Sequence, residues 1–405
     1  MEIDKPIYYD ITIIGGGIVG LSTALHLLQK NASLQILVLE KENEIAKHQT
    51  GNNSGVIHSG IYYKPNSLRA VNCLRGYQML LDFCDAEKIP YDICGKIIVA
   101  TKEDELQRLQ NIYQRGIENG LIGLELLDEK AIQQHEPHCA GIKGIYVPQT
   151  GIIDYTSVSK KYAEKIKTLN GSISLNQKVV DIKNNSKEIK VITQDNTYTT
   201  KQLINCAGLY SDKIATLTNN NIAVKIVPFR GEYFTLKKEK EYLVKNLIYP
   251  VPDPDFPFLG VHFTRFIQGG VEAGPNAVLA YAREGYKKSD IVWSEFFESI
   301  FYKGFIKLAF KNWRTGFGEM HRSYSKKAFT TALQRLIPEL QMDDLVTGEA
   351  GVRASAMNKN GNVVDDFIIE QQDNIIHVLN TPSPAATASL SIGLTIAEMA
   401  LKELK

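Results

Sequence analysis

The run Tyr9-Asp10-Ile11-Thr12-Ile13-Ile14-Gly15-Gly16-Gly17-Ile18-Val19-Gly20-Leu21 decides how the rest of the chain is read. Its apolar residues 11–14 suit a short strand buried on both faces. The glycines make a turn, and residues 21–28 read as a helix. Gly15, Gly17 and Gly20 match G-x-G-x-x-G in the setting that motif needs, after a strand and opening a helix. Gly15 permits the tight turn, Gly17 lets the backbone approach a pyrophosphate, and Gly20 lets helix and strand pack closely. The helix N-terminus then faces the phosphate charge. A second apolar strand at residues 35–39 ends at Glu40. A carboxylate about 20 positions past the last glycine can accept hydrogen bonds from both ribose hydroxyls and repels a 2′-phosphate. The expectation is a dinucleotide site, against the plain alternative of a glycine turn that binds nothing.

Composition sets only broad limits around this motif. The 405 residues allow two or three domains. Hydrophobic residues at 44% and charged residues at 22% are ordinary for a globular protein. A net charge of +1 gives no global attraction to nucleic acid, so none is expected as a partner. Cys73, Cys84, Cys94, Cys139 and Cys206 are scattered and form no C-x-x-C. That suits a reducing compartment and argues against a zinc site or a disulfide framework; no metal is expected. Residues 11–28 approach the lower length limit of a membrane span, but three consecutive glycines and the lack of a basic leader argue against a span or a signal peptide. A cytoplasmic location is the expectation.

Further along, residues 47–63 break both helix and strand periods and are rich in glycine and small polar side chains, as a loop that wraps a ligand would be. Helices are expected at 67–86, at 103–119 and, capped by Asp154, at 155–169. Strands are expected at 97–100, 142–148 and 203–206. From Val224 the character changes. Residues 227–234 are strand-like, Pro250, Pro252, Pro254 and Pro257 punctuate the next run, and residues 261–265 alternate. This part reads as an antiparallel sheet. Residues 289–327 are helical, aromatic and basic. Lys303, Lys307 and Lys311 share one face, and Ile306, Phe310 and Trp313 another. That segment suits either a membrane surface or a solvated face over an aromatic core. Residues 362–369 read as a strand pair, 375–380 as the last strand and 385–404 as a closing helix.

With these residues in view, the chain resembles the D-amino-acid-oxidase superfamily of FAD enzymes. The resemblance is carried by the glycine motif with Glu40, the loop from His48 to Tyr63, and Asn205-Cys206-Ala207-Gly208. Within the superfamily it resembles the L-2-hydroxyglutarate oxidase/dehydrogenase family. The finer matches are Arg230-Gly231-Glu232-Tyr233-Phe234, Ile248-Tyr249-Pro250-Val251-Pro252-Asp253-Pro254 and Phe258-Leu259-Gly260-Val261-His262-Phe263-Thr264-Arg265. Gly274-Pro275-Asn276-Ala277, Val363-Val364-Asp365-Asp366-Phe367 and Asn380-Thr381-Pro382-Ser383-Pro384-Ala385-Ala386-Thr387 complete them. The resemblance implies FAD as cofactor and oxidation of L-2-hydroxyglutarate to 2-oxoglutarate, a step of metabolite repair or glutarate breakdown. It implies oxygen or a membrane quinone as electron acceptor. In the quinone case the protein would touch the cytoplasmic face of the inner membrane. It also implies that Thr50, Asn53 and Ser54 contact FAD, that Val179 offers backbone bonds to adenine, and that Gly208 turns beside the diphosphate. Ser383 and the Ala385, Ala386 and Thr387 helix start would aim N–H groups at the flavin.

Oxidising a 2-hydroxy acid needs a base for the hydroxyl proton and cations for the carboxylates. Histidine is the natural base, and His58 and His262 are the candidates. Each has a plain alternative, a hydrogen bond to flavin or backbone for His58 and a satisfied core position for His262. His48 is an ordinary loop residue or a covalent flavin anchor. Arg353 is the first choice for the carboxylate clamp, since superfamily relatives carry such an arginine in a similar segment and a guanidinium fits a carboxylate bidentately. Arg265, Arg230 and Lys64 are lesser candidates for the far carboxylate, and Tyr62 and Tyr63 would line the pocket. The expected architecture is α/β, with a Rossmann-like FAD-binding domain built from residues 1–90, 145–220 and 345–405. A substrate domain on an antiparallel sheet takes residues 91–144 and 221–344. Two rivals remain: a superfamily enzyme acting on an amino acid, amine or glycerol phosphate, and a non-catalytic membrane-peripheral flavoprotein.

Overall fold

The computed structural model describes residues 7–185, 188–218, 221–253 and 260–404. Pro254, Pro257, Phe258 and Leu259, used in the sequence reading, lie outside the described residues.

The first sheet is built on the strand Ile7–Ile14. It pairs in parallel with Ile36–Leu39 on one side and Thr197–Asn205 on the other. Ile11, Thr12, Ile13 and Ile14 are all buried, because helices cover one face and a further apolar layer the other. The strand Thr197–Asn205 is shared. Its first half pairs with the antiparallel ribbon Val179–Asn184 and Ile189–Thr193, and its second half pairs in parallel with Ile375–Asn380. A strand from near the C-terminus thus completes the sheet begun by the N-terminus. The helices Ile18–Lys30 and Ser389–Glu403 follow the same logic. They pack so closely that a methyl group on Gly393 would lie 2.3 Å from the Ser22 hydroxyl oxygen.

The second sheet runs in the order Leu345–Asn358, Val224–Leu236, Val271–Leu279, His262–Arg265, Leu247–Pro250, Lys96–Ala100, Lys143–Val147, Glu125–Asp128. It is antiparallel throughout except for the parallel pair Leu247–Pro250 and Lys96–Ala100. A small sheet of Val56–Ile57, Gly151–Ile153 and Tyr91–Asp92 lies in the chain segments that link the two.

The boundaries differ from the sequence reading. Leu345–Asn358 pairs along its whole length with Val224–Leu236, so it belongs to the second sheet and not to the FAD-binding part. Lys143–Val147 joins the second sheet in the same way. Both strands alternate or run apolar in a manner that suits either sheet, and only the pairing partner assigns them. Residues 362–369 do not form a strand pair. Val363 makes an isolated bridge to Met357, and the strand begins at Ile368. The segment 289–327 is a series of short helices, Trp293–Ile300, Lys303–Lys311, Trp313–Tyr324 and the start of Lys326–Leu333. Its aromatic side chains are largely outside, with Phe301 71% and Phe310 78% exposed. No helix among the described residues is long and apolar enough to cross a membrane.

Candidate active site

The glycine turn is fixed by close backbone approach. Gly15 has φ 114°, and a methyl group there would sit 2.4 Å from the Cys206 carbonyl oxygen. At Gly20 it would sit 2.1 Å from the Gly15 carbonyl oxygen, inside the contact between helix and strand. Glu40 is buried behind this turn. Its Oε2 accepts the Gly16 N–H at 2.8 Å and its Oε1 the Glu42 N–H at 3.0 Å. A carboxylate offers about four acceptor positions, so two remain for ribose hydroxyls. Thr50 Oγ1 accepts the Ile18 N–H at 3.1 Å and pins the His48–Tyr63 loop to the helix start.

A cavity of about 880 Å³ opens from this helix start. It stands at the upper end of the range usual for ligand sites, about 300–1,000 Å³. Gly17, Thr50, Asn53, Ser54 and Gly208 line it, and so do Ser383, Ala385 and Ala386 from the far end of the chain. His58, Tyr62, Tyr63, His262 and Arg353 line it as well. Gly15, Gly20 and Glu40 stand behind the wall and shape it. Thr387 also stands behind it. Its hydroxyl oxygen accepts the His58 N–H at 3.1 Å and meets the Tyr155 hydroxyl at 2.8 Å. These residues fit FAD. Gly15 and Gly20 allow the close backbone approach that shapes the turn, Gly17 and Gly208 put bare backbone on the cavity wall, the helix N-terminus suits a diphosphate, and the cavity is large enough for a dinucleotide.

Some expected site residues lie elsewhere. Val179 opens an edge strand and is off the cavity wall. Arg265 is on the strand His262–Arg265, but an odd number of positions after His262, so it points to the opposite face and pairs with Asp92. Arg230 is buried against Glu232 at 2.9 Å, and Lys64 is off the wall. His48 is held by Glu42 at 3.0 Å, Tyr286 at 3.0 Å and Glu284 at 3.1 Å, and it too is off the wall. The carboxylates of that cluster also pair with the Lys41 ammonium.

The two histidines on the wall share an electrostatic state. Burial pushes His262 down to about 3, partly offset by its Gly260 bond and reinforced by the charges of Arg353 and Lys96. Burial likewise pushes His58 down to about 3, with Lys96, Arg69, His262 and Arg353 adding to the effect. Both rings are therefore neutral at pH 7. His262 Nδ1 lies 2.8 Å from the Gly260 carbonyl oxygen, which can only accept, so Nδ1 carries the proton and Nε2 keeps its lone pair. His58 Nε2 lies 3.2 Å from the Ser383 hydroxyl. The His262 ring packs on Tyr249 at 4.0 Å between centroids.

Sequence reasoning missed several wall residues. Tyr249, Arg69, Arg108 and Arg115 all line the cavity. Lys96 stands just behind it, 1% exposed, with its ammonium 4.5 Å from the Tyr62 ring centroid and 4.8 Å from that of Tyr249. The available signal was a lysine heading the apolar run Ile97-Ile98-Val99-Ala100. Arg108 and Arg115 gave none, since two arginines two turns apart on an amphipathic helix read as a solvated face.

A family model described as FAD dependent oxidoreductase matches residues 10–399. Fold, cavity and family model together define an FAD-dependent oxidoreductase. A protein of Indibacter alkaliphilus named L-2-hydroxyglutarate dehydrogenase is 55% identical over 97% of this chain and 99% of its own length. A Homo sapiens protein named L-2-hydroxyglutarate dehydrogenase, mitochondrial, is 44% identical over 96% of this chain and 88% of its own. The chain belongs to the L-2-hydroxyglutarate dehydrogenase family. The solved L-alpha-glycerophosphate oxidase of Mycoplasma pneumoniae with FAD bound shares the fold, with a TM-score of 0.78 at 24% identity over 98% of this chain and 94% of that one.

Proposed function

We propose that this chain oxidises L-2-hydroxyglutarate to 2-oxoglutarate with FAD as cofactor. The observation that carries the reading is that His262, whose Nε2 has no partner among the described residues, and the Arg353 cation both line the cavity, in a chain so similar to proteins of that name. Bound FAD supplies the acceptor for the hydride that leaves C2. Gly15, Gly17, Gly20 and Glu40 hold its nucleotide half, with Thr50, Asn53, Ser54 and Gly208. Ser383, Ala385 and Ala386 lie along its flavin half. Arg353 clamps the carboxylate next to C2, which fixes the face of C2 that is presented. His262 Nε2 takes the proton of the C2 hydroxyl. His58, tied to Ser383 and Thr387, sets the opposite wall. Tyr62 and Tyr63 exclude water. Anaerobic mixing of the FAD-loaded protein with L-2-hydroxyglutarate should bleach the flavin. Bleaching by an amino acid, an amine or glycerol phosphate and not by this acid would overturn the reading.

For the electron acceptor, we infer a quinone reached at a lipid surface, with dioxygen as the competing acceptor. Trp293, Phe297, Phe301, Phe310, Trp313 and Phe317 are all exposed on the helices between Trp293 and Tyr324, beside Lys303, Lys307 and Lys311. Exposed aromatic rings beside lysines suit anionic headgroups and the boundary beneath them. The protein should float with anionic liposomes. Flotation that survives replacement of the three lysines and of Phe301 and Phe310 would dismiss this surface.

A further inference from the structure

Arg353 accounts for one carboxylate of a dicarboxylate substrate, and the second needs a cation of its own. Most of the evident choices are engaged; Arg108, which lines the cavity with its Nε unbonded among the described residues, is the competing cation that the test below addresses. Arg265 pairs with Asp92, Arg230 with Glu232, and Arg69 with Asp365 and the Ser383 carbonyl. Lys96 differs from all of them. It is 1% exposed, and no hydrogen bond or ion pair reaches its ammonium among the described residues. A buried charge without a counterion is costly, and such a group directly behind the ring-lined wall of a cleft marks a place where a ligand completes the pair. The ammonium stands at the seam between the rings of Tyr62 and Tyr249, and both rings line the cavity. We propose that Lys96 is the specificity-determining cation of this site, receiving the substrate's second carboxylate between Tyr62 and Tyr249. The proposal rests on the functional reading above for the substrate's identity, but only on a dicarboxylate ligand for its test.

Burial holds Lys96 down to about 7, so its charge is present below that value and is lost as pH rises through it. The groups around it are Tyr62 and Tyr249, the Cys73 thiol, His58 and His262, and the cations Arg69 and Arg353 farther off. None of these supplies a carboxylate. The pocket's hold on a second carboxylate should therefore weaken above neutral pH, by up to about tenfold per unit.

The test uses FAD-loaded enzyme and two unreactive probes, glutarate with two carboxylates and butyrate with one, each read by its perturbation of the flavin spectrum. Wild type should prefer glutarate, and the preference should shrink between pH 7 and 9. Lys96→Met and Lys96→Gln should cut the preference by roughly 30-fold or more, and Lys96→Arg should keep part of it. Arg108→Met is the control, because Arg108 lines the same cavity with its Nε unbonded. No preference in wild type overturns the proposal. So does a preference that is independent of pH, one unchanged in the Lys96 variants, or one removed by Arg108→Met instead. If the Lys96 variants fail to hold FAD, the wild-type pH series decides alone. Turnover of L-2-hydroxyglutarate by wild type tests the functional reading separately, since probe binding needs no turnover.

Discussion

The two ends of the cavity are built on opposite plans. At the glycine turn the polar side chains are anchored by backbone amides: Glu40 by those of Gly16 and Glu42, and Thr50 by that of Ile18. At the other end the groups are buried and left short of partners. Among the described residues, His262 Nε2 has no partner, Lys96 has only ring faces, and the Tyr62 hydroxyl is unbonded. The first end spends its geometry on shape, so it holds a nucleotide whose form does not change. The second keeps unsatisfied charge and lone pairs in a low-dielectric wall, where a substrate completes them.

The contrast can be broken by substitution. At the shape-determined end, Gly20→Val should be the most severe change. Its side chain would start 2.1 Å from the Gly15 carbonyl oxygen, so the purified protein should carry no FAD absorbance. Retention of normal FAD would show that the turn can yield. At the other end, His262→Asn should keep FAD and slow flavin reduction by about 10²–10⁴-fold in stopped flow. Near-normal reduction there would move the base to His58, where the same substitution should then give the larger loss. Arg353→Met should act mainly on binding, raising KM by roughly 30-fold or more with a smaller change in kcat. A loss confined to kcat would place Arg353 away from the ground-state carboxylate.

The pH dependence of stability sharpens the electrostatic half of the comparison. His58 and His262 are held near 3, far below the 6.5 of an unfolded histidine. Their contribution to stability is complete above the unfolded value. It is lost as pH falls from about 6.5 towards 3, because the unfolded chain binds protons that the folded one refuses. Each contributes a slope of about 1.4 kcal/mol per pH unit in that window. Urea unfolding of the FAD-free protein between pH 6 and 4 should show a slope that drops in His58→Asn and again in the double variant with His262→Asn. The same neutral base means that kcat/KM should show no acid limb near pH 6.5.

How much could be read in advance differs between the two ends for the same physical reason. Residues 9–21 and Glu40 form one local βαβ unit, so their spacing alone determines the turn, the strand and the direction of the carboxylate. The loop to Tyr63 was legible as ligand-facing because its composition breaks every regular period, whereas the turn at Ser383 was assigned to the ligand only through the family resemblance. The sheet of Leu345–Asn358 was not legible as part of the second domain, since strand pairing across more than 100 residues leaves no local trace. Spacing puts His262 and Arg265 on opposite faces of one strand, but it could not say which face meets the cavity. That needed the register of the strand against Val271–Leu279.

The sequence by itself determined the dinucleotide turn and the α/β core, because these depend on residue types at short fixed spacings; the family came from the resemblance of segments spread along the chain. Only the tertiary structure decided which cations reach the cavity, which histidine nitrogen is open, and that Lys96 is buried without a counterion among the described residues. Those properties belong to the meeting of strands distant in sequence, where burial and the absence of a partner are set by packing and not by any one segment.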